Sequence, residues 1–413
     1  MLRSFRLGNH RSFRDEQELL LMPAMPGDER AAVPVAAIYG ANASGKSNLL
    51  DGLAFMCGLV VAPESCGLAD REGFRLGEHD AERASTFVIE LVTEGVRYTY
   101  GFSIDDGAIS EEWLYSYPEK RRRVVFERLR EGVKFGSTTT ELASKLGALE
   151  ELIRPSVLLL SFGSSLDLGP LMPVFRWFEA ELWIMQSDLS WSTDGLADRV
   201  GEYLQRDPRN AQRLVTLLSV ADVGITDLSA ELVQGGIRGE FQLRRGRPVL
   251  RRPSQPPRGK RWRLTFQHHG SRTLFELDDE SAGTRNWLEL IPSVLDVLDG
   301  GQVLLVDEID SSLHPMLTAK LVGLFQSEET NPHGAQLIFT THDTSLLGTM
   351  LGDNVLDRDQ VWFVDKNAEG ASELYPLTDF KPRKDQNTER RYLAGSYGAV
   401  PVLGDFTEAV LGR

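Results

Sequence analysis

Residues 40–47 read Gly40-Ala-Asn-Ala-Ser-Gly-Lys-Ser47, which matches the pattern G-x-x-x-x-G-K-[ST] at every fixed position. The apolar run from Val33 to Tyr39 precedes this stretch, and residues 48–61 follow it with helical spacing. In such a strand–loop–helix unit the glycines let backbone N–H groups wrap around a phosphate, and the helix dipole adds attraction. The sequence therefore predicts a phosphate-binding loop. The competing interpretation is a strand–turn–helix without a ligand.

Side chains of this loop have predicted roles in nucleotide binding. The ammonium of Lys46 would reach the β- and γ-phosphates, and the hydroxyl of Ser47 would bind Mg²⁺. The predicted cofactors are therefore ATP and Mg²⁺. The residues expected to contact the nucleotide are Gly40, Asn42, Ser44, Gly45, Lys46, Ser47 and Asn48.

A second motif places two carboxylates at the end of an apolar strand. Residues 303–306 are Val-Leu-Leu-Val, and Asp307 and Glu308 follow them. Asp307 is expected to orient Mg²⁺ through its waters, and Glu308 to polarise the water that attacks the γ-phosphate. Adjacent carboxylates at a buried strand end cost stability unless their charge is used. The alternative interpretation is a surface turn after a strand.

A histidine occupies a similar place after another apolar run. His342 follows residues 337–341, so it is expected at a strand end from which it could reach a γ-phosphate. A strand-end histidine by itself is a weak signal. Together with the phosphate loop and the acidic strand end, it indicates a third catalytic element.

The order of apolar runs predicts the fold class. Short buried runs alternate with helical segments, which is typical of a parallel α/β sheet. An antiparallel meander is predicted after the first helix. These runs are 33–39, 302–306, 336–340 and 361–365 for the parallel sheet, and 86–91, 98–104 and 124–129 for the meander.

The middle of the chain has a different character. Residues 139–222 are mostly helical in pattern, and Leu142, Leu146, Leu149 and Ile153 could share one helix face. We interpret this stretch as an inserted helical lobe, although additional core would give the same pattern. The predicted domains are the N-terminal half of the head at 1–138, the lobe at 139–222 and the C-terminal half at 223–413.

Composition excludes several classes of protein. The 413 residues carry 45 Lys and Arg against 60 Asp and Glu, a net charge of −15, which repels polyanions at long range. Two cysteines cannot form a disulfide framework or a four-thiolate zinc site. No apolar run is long enough to cross a membrane. We therefore expect a cytoplasmic protein without membrane contact.

One stretch departs from this acidic background. Residues 244–263 contain many arginines and no acid, and Trp262 lies near their end. This stretch could bind nucleic acid or an acidic partner, with Trp262 stacking on a base. A solvated hairpin explains the composition equally well.

The order of motifs resembles that of ABC-type ATPases of the SMC/RecF branch. The shared motifs are G-x-x-x-x-G-K-S, L-L-V-D-E, D-x-S-L-H-P and T-T-H. The resemblance implies an ABC-type P-loop NTPase head with an antiparallel β subdomain and an inserted helical lobe. It also implies that Ser281 and Gly283, in an S-G-G-Q-like signature position, bind a γ-phosphate held by another subunit. Asp310 would be the D-loop aspartate at the dimer interface.

Further motifs narrow the resemblance to the RloA/AbiL-like ATPases of bacterial restriction and abortive infection. This resemblance implies an ATP-gated homodimer that senses infection and controls a separately encoded effector, a toxin or a nuclease. The alternatives are a RecF-like clamp for DNA repair, which the charge of −15 disfavours, and a scaffold that does not hydrolyse ATP. The motifs are Tyr98-x-Tyr-Gly-Phe102, Glu111-x-Trp-Leu114, Phe126-Glu-Arg128, Glu280-Ser-x-Gly-Thr284 and Arg391-Tyr-x-x-Gly-x-Tyr-Gly-Ala-x-Pro401.

One feature departs from the ABC pattern. These ATPases carry a glutamine between the phosphate loop and the helical lobe, where it contacts Mg²⁺ and the attacking water. No glutamine occurs here between Gln17 and Gln186. We therefore expect slow turnover and leave this position unassigned.

Overall fold

The computed structural model describes most of the chain as two compact units. The first comprises Met1–Ser187, Val297–Asp310 and His314–Arg413, and the second comprises Asp188–Asp296 and Ser311–Leu313. The described residues are 1–25, 27–137, 139, 153–164, 166, 168–185, 193–221, 224–234, 240–244, 247–251, 260–351, 355–381, 386–401, 404 and 410, without the side chains of 193, 194, 234 and 240–251.

The strands of the first unit are β1 (Leu2–Gly8), β2 (Gln17–Leu20), β3 (Val35–Tyr39), β4 (Ser85–Thr93), β5 (Val96–Ile104), β6 (Ile109–Tyr117), β7 (Arg123–Leu129), β8 (Gly132–Phe135), β9 (Leu182–Met185), β15 (Val303–Val306), β16 (Gln336–Thr340), β17 (Val361–Lys366) and β18 (Ser372–Pro376). Those of the second unit are β10 (Ile225–Gln234), β11 (Glu240–Arg244), β12 (Arg247–Arg251), β13 (Lys260–His268) and β14 (Leu274–Glu276). The helices are α1 (Lys46–Val61), α2 (Leu159–Ser164), α3 (Met172–Arg176), α4 (Thr193–Arg206), α5 (Pro208–Val220), α6 (Ala282–Gly300), α7 (Pro315–Gln326) and α8 (Thr388–Leu393).

The central sheet of the first unit is parallel, as its apolar runs predict. Its strand order is β18-β17-β3-β16-β15-β9, and only the edge strand β18 pairs in the antiparallel direction. Strands β3, β15 and β16 are buried at every position. Because β3, β16 and β15 are adjacent and parallel, the loops that follow them meet at one edge of the sheet.

The other edge strand of this sheet differs from the sequence interpretation. Residues 171–185 have a helical apolar-aromatic pattern, yet the chain forms α3, a wide turn at Trp177–Glu181, and then β9. A short apolar run cannot be assigned to helix or strand by periodicity alone, and pairing with β15 decides the outcome. The predicted helix face from Leu142 to Ile153 lies, except for Ile153, outside the described residues. The lobe's extent over 139–222 stays a prediction.

An antiparallel sheet forms the rest of the first unit, in the order β2-β1-β4-β5-β6-β7-β8. The turn after β4 lies at Glu94 and Gly95, which both adopt positive φ angles. The sequence does not predict strand β6, because its many polar residues obscure the alternation of apolar and polar positions that is typical of a strand. Helix α1 shares one buried core with both sheets: Leu53 clusters with Phe5 and Phe87 of the antiparallel sheet and with Ile38 of β3.

A buried carboxylate joins this antiparallel sheet to the segment that leads to β9. Glu112 of β6 is fully buried and accepts the backbone N–H groups of Leu159 and Leu160, at 2.6 and 3.0 Å, at the start of α2. It also accepts the hydroxyl of Tyr100 at 3.0 Å and faces Arg128 at 3.4 Å. Burial raises the pKa of Glu112, while Arg128 and the N–H donors oppose that shift. Residues of two quoted subfamily motifs, Tyr100 and Arg128, therefore have a structural role here.

The second unit packs α4 and α5 near the sheet β10-β13-β14. Trp262 of β13 is half-buried, and its backbone N–H donates to Asp198 of α4 at 2.8 Å. A Cβ at position 201 would overlap the indole, so Gly201 allows the ring to lie against α4. The Trp262 ring packs against α4 while it stays half-exposed, and its stacking on a base stays a prediction. Most other side chains of 244–263 lie outside the described residues.

Replacing Glu112 tests whether the buried carboxylate stabilises the first unit. Glu112→Ala removes the carboxylate partner of the Arg128 guanidinium and the acceptor of two buried N–H groups, so we expect the free energy of unfolding to fall by about 3 kcal/mol. Urea denaturation followed by tryptophan fluorescence measures this change. Glu111→Ala, at the exposed neighbouring position of β6, is the matched control and is expected to change it by less than about 0.5 kcal/mol. Equal effects of the two changes would contradict the assignment.

Candidate nucleotide-binding site

The backbone of the phosphate loop takes a shape that its glycines make possible. Gly45 precedes α1 with a φ of 116°, in the left-handed region that favours glycine. A Cβ at Gly40 would overlap the carbonyl oxygen of Val364, and one at Gly45 would lie 2.6 Å from Ser12 Oγ. Both glycines of the motif are therefore required by close contacts with neighbouring segments.

Lys46 is buried at the first turn of α1, with 6% of its surface exposed. Its Nζ donates to the carbonyl oxygens of Gly40 and Ala41, at 2.8 and 3.2 Å. Burial lowers the pKa of Lys46, and the nearby carboxylates of Glu308, Asp307 and Asp310 act in the opposite direction. The ammonium is therefore held at the loop itself, beside a group of acids.

Asp307 connects the phosphate loop to the acidic strand end. Its Oδ1 accepts the hydroxyl of Ser47 at 3.0 Å and the hydroxyl of Thr340 at 2.6 Å, and its backbone N–H donates to the carbonyl of Met185 at 2.9 Å. The carboxylate thus has contacts with the start of α1 and the end of β16. The two residues predicted to hold the metal, Ser47 and Asp307, are in direct contact.

The contact between these two residues fits a magnesium ion. The Ser47 hydroxyl donates to Asp307 at 3.0 Å, so Ser47 would offer its oxygen to Mg²⁺ while Asp307 would orient the ion through its waters. Among the described residues, no group of three or more His, Cys, Asp or Glu side chains could hold a metal ion. Mg²⁺ keeps several waters and binds substrate phosphates alongside one or two protein ligands, so a hydroxyl and a carboxylate suffice here.

Glu308 is exposed and stands in an unusual backbone conformation. Its φ of 53° lies in the left-handed region, where a non-glycine residue needs support from its surroundings. That support comes from β16, because Thr340 Oγ1 accepts the Glu308 N–H at 2.7 Å and the Thr340 carbonyl accepts the Ile309 N–H at 3.1 Å. The Thr340 hydroxyl therefore holds both acidic residues in place: it donates its hydrogen to the Asp307 carboxylate and accepts the backbone N–H of Glu308.

His342 lies at the same edge of the sheet. Its backbone N–H donates to both carboxylate oxygens of Asp310, at 3.3 Å each. Burial and the positive charge of Lys46 lower the pKa of His342, while Asp310, Glu308 and Asp307 raise it. The imidazole is therefore favoured in its neutral form at neutral pH. The side chains at this edge of the sheet lie close enough for their charges to shift one another's pKa values: Lys46, Asp307, Glu308, Asp310 and His342.

The other predicted loop residues occupy varied environments. Asn42 is exposed, and Asn48 donates its amide to Ser12 Oγ at 2.7 Å. Ser44 is 3% exposed, and its hydroxyl has no partner within the described part of the chain. A buried hydroxyl without a partner in a phosphate loop is consistent with a ligand group as its acceptor.

The signature residues belong to the second unit, where they begin α6. Ser281 Oγ accepts the N–H of Thr284 at 3.1 Å and so caps this helix. A Cβ at Gly283 would lie 2.8 Å from the carbonyl oxygen of Ser312, and Asn286 donates to the carbonyl of Ser311 at 3.0 Å. The segment after Asp310 therefore packs against the signature. Helix α6 begins at Ala282, within the signature itself.

Sequence reasoning missed Thr340, whose hydroxyl supports both acids. Its place before the Thr-His pair of the T-T-H motif is the only sequence signal for it. Sequence reasoning also left open the expected glutamine. That position stays unassigned, because residues 186–190 lie outside the described part of the chain.

These features define a P-loop NTPase: a phosphate loop after a buried parallel strand, with a carboxylate from a neighbouring strand on its serine. The chain belongs to the family described as "AAA domain, putative AbiEii toxin, Type IV TA system", which matches residues 35–348, about three quarters of its length. This family places it among AAA-type P-loop ATPases associated with abortive infection and toxin–antitoxin systems. No curated protein sequence matches the chain. Among the described residues, no helix is long and apolar enough to span a membrane.

Removing the hydroxyl of Thr340 tests its support of the acids. Thr340→Val keeps the side-chain shape but leaves the Glu308 N–H without an acceptor, so we expect a loss of about 1–2 kcal/mol in the free energy of unfolding without nucleotide. Thermal and urea unfolding measure this loss. Thr318→Val is the control, because Thr318 is also fully buried but its hydroxyl has no partner among the described residues. That control is expected to be neutral or stabilising, and an equal loss in both variants would contradict the role of Thr340.

Proposed function

We propose that this protein binds ATP with Mg²⁺ at residues 40–47 and hydrolyses it. The observation that carries this proposal is the position of Asp307, whose carboxylate contacts Ser47 at 3.0 Å and Thr340 at 2.6 Å. This contact brings the loop that would hold the phosphates to the strand end that would supply the carboxylates. The family assignment supports the same conclusion.

The residues at this edge of the sheet have complementary tasks in the proposed reaction. Backbone N–H groups of the loop and the ammonium of Lys46 bind the phosphates, while Ser47 and Asp307 would hold Mg²⁺. A bound Mg²⁺ would neutralise part of the negative charge on the phosphates. Glu308 accepts a proton from the attacking water. Its carboxylate is exposed and lies near Lys46, on the side of the loop that would hold the phosphates. His342, in its neutral form, donates a hydrogen bond to the γ-phosphate.

The signature suggests how nucleotide binding controls assembly. In the ABC-type ATPases that this chain resembles, the signature acts on a nucleotide held by a second subunit. We propose that Ser281 and Gly283 do so here, so that two ATP molecules join two copies into a two-fold dimer. Asp310 would lie at that interface. Hydrolysis through Glu308 would release the dimer, which makes the protein a switch.

The family description supports a role for this switch in phage defence, in which it would control a separately encoded toxin or nuclease. The DNA-repair alternative requires a basic surface on the dimer. The net charge of −15 and the packing of Trp262 against α4 both weigh against it.

Glu308→Gln separates ATP binding from hydrolysis. Without the carboxylate that accepts a proton, phosphate release is expected to fall by about 10²–10⁴-fold, and the variant should accumulate as an ATP-bound dimer. Phosphate-release assays and light scattering with size-exclusion chromatography measure the two effects. Glu328→Gln, at an exposed position after α7, is the control that should behave as wild type.

Two further results would reject parts of this proposal. A Glu308→Gln variant that binds ATP but stays monomeric would exclude the composite dimer site. Lys46→Ala is expected to abolish nucleotide binding, and its unchanged binding of a fluorescent ADP analogue would exclude residues 40–47 as the phosphate site.

A further inference from the structure

Two serines from opposite ends of the chain meet behind the phosphate loop. Ser12 lies between β1 and β2, and Ser372 is the first residue of β18. Their hydroxyl oxygens are 2.7 Å apart, and the backbone N–H of Ser372 donates to the carbonyl of Ser12 at 2.7 Å. Ser372 is 2% exposed, and its hydroxyl also contacts the carbonyl oxygen of Ser44 in the loop. We call Ser12 and Ser372 the serine clamp.

The direction of the hydrogen bonds in the serine clamp follows from the donors available. The carbonyl of Ser44 can only accept, so the Ser372 hydroxyl donates its single hydrogen there. The Ser12 hydroxyl must then donate to Ser372 Oγ, and Ser12 Oγ accepts the amide of Asn48 at 2.7 Å. The result is a continuous chain from Asn48 through both serines to Ser44. Hydrogen bonds in such a chain polarise one another and strengthen.

The end of this chain acts on a peptide group that matters for phosphate binding. The carbonyl of Ser44 belongs to the same peptide as the N–H of Gly45, which is the glycine next to Lys46. A hydrogen bond to the carbonyl polarises this peptide and makes its N–H a stronger donor. The close fit of Gly45 against both serine hydroxyls also fixes the loop in its left-handed conformation.

The C-terminal segment supports the hairpin that carries Ser372. Asp365, at the end of β17, accepts the backbone N–H of Ala399 at 2.7 Å, and the hydroxyl of Tyr375 in β18 donates to the carbonyl of Tyr397 at 2.9 Å. The ring of Phe363 stacks between Tyr392 and Tyr397, with centroid distances of 5.4 and 5.6 Å. The C-terminal motif of residues 391–401 thus braces the β17–β18 hairpin beside the phosphate loop.

We propose that Ser12 and Ser372 are positioning residues for phosphate binding. They set the conformation and the polarity of the Ser44–Gly45 peptide, and they make nucleotide affinity depend on the N-terminal and C-terminal segments of the chain. This inference rests on the proposed function, because it assigns the serine clamp to the same phosphate site. The ligand class is a nucleoside di- or triphosphate.

Removal of one hydroxyl is expected to weaken binding without slowing the chemical step. In Ser372→Ala the carbonyl of Ser44 loses its buried donor, so the Kd of a fluorescent ADP analogue should rise about five- to tenfold. KM for ATP should rise by a similar factor with kcat nearly unchanged, because the contact is equally present before and during reaction. Ser372→Thr keeps the hydroxyl and should restore affinity to within about twofold of wild type.

A double-mutant cycle tests whether the two serines act as one chain. Ser12→Ala should weaken binding by a similar factor, and the double variant should bind about as well as Ser372→Ala alone, because both changes break the same chain. Glu373→Gln is the matched control, since Glu373 is the exposed neighbour of Ser372 on β18. It should leave Kd unchanged.

The results distinguish this inference from the proposed function. If wild type binds no nucleotide, the proposed function fails. If wild type binds and Ser372→Ala binds equally well, or if Ser372→Ala lowers only the unfolding temperature, the positioning role is excluded. Strictly multiplicative losses in the double variant would also exclude it.

Discussion

The carboxylate of Asp307 is the contact on which the arrangement of this site depends. It accepts hydroxyl groups from Ser47 at the start of α1 and Thr340 at the end of β16, while its own strand is β15. These contacts are possible because β3, β16 and β15 are neighbouring parallel strands whose carboxyl ends share one edge. Separating β3 from the other two strands would break the contact of Asp307 with Ser47, and separating β16 from β15 would break its contact with Thr340. The sheet order and the chemistry of the site therefore require each other.

Much of the fold and the site could be predicted from local sequence signals. The runs that became β3, β15, β16 and β17 are short, apolar and buried, and the phosphate loop has a motif whose spacing follows from its geometry. The sequence predicts a functional role for Asp307 and Glu308, because adjacent carboxylates at the end of a buried strand cost stability unless their charge is used. In each case the residues that carry the signal are close together in the chain.

Other features depend on contacts between distant residues and have no local signal. Ser12 and Ser372 are separated by 360 positions, and nothing around either serine predicts that they meet. The sequence around β9 predicts a helical region. Its four residues form a strand only because they pair with β15. Glu112 looks like a surface residue of a polar strand, and its burial is explained by distant partners: the N–H groups of residues 159 and 160, the Tyr100 hydroxyl and the Arg128 guanidinium.

The contacts of Lys46 have a consequence for the choice of ligand. Its ammonium already has two acceptors, the carbonyls of Gly40 and Ala41, so the loop competes with any incoming anion for this charge. A neutral or weakly charged ligand offers no more than those carbonyls do. A polyphosphate offers several formal charges, and charge-assisted hydrogen bonds are about twice as strong as neutral ones. The two loop carbonyls take two of the three N–H donors of the ammonium, so a ligand with several formal charges gains most from this lysine.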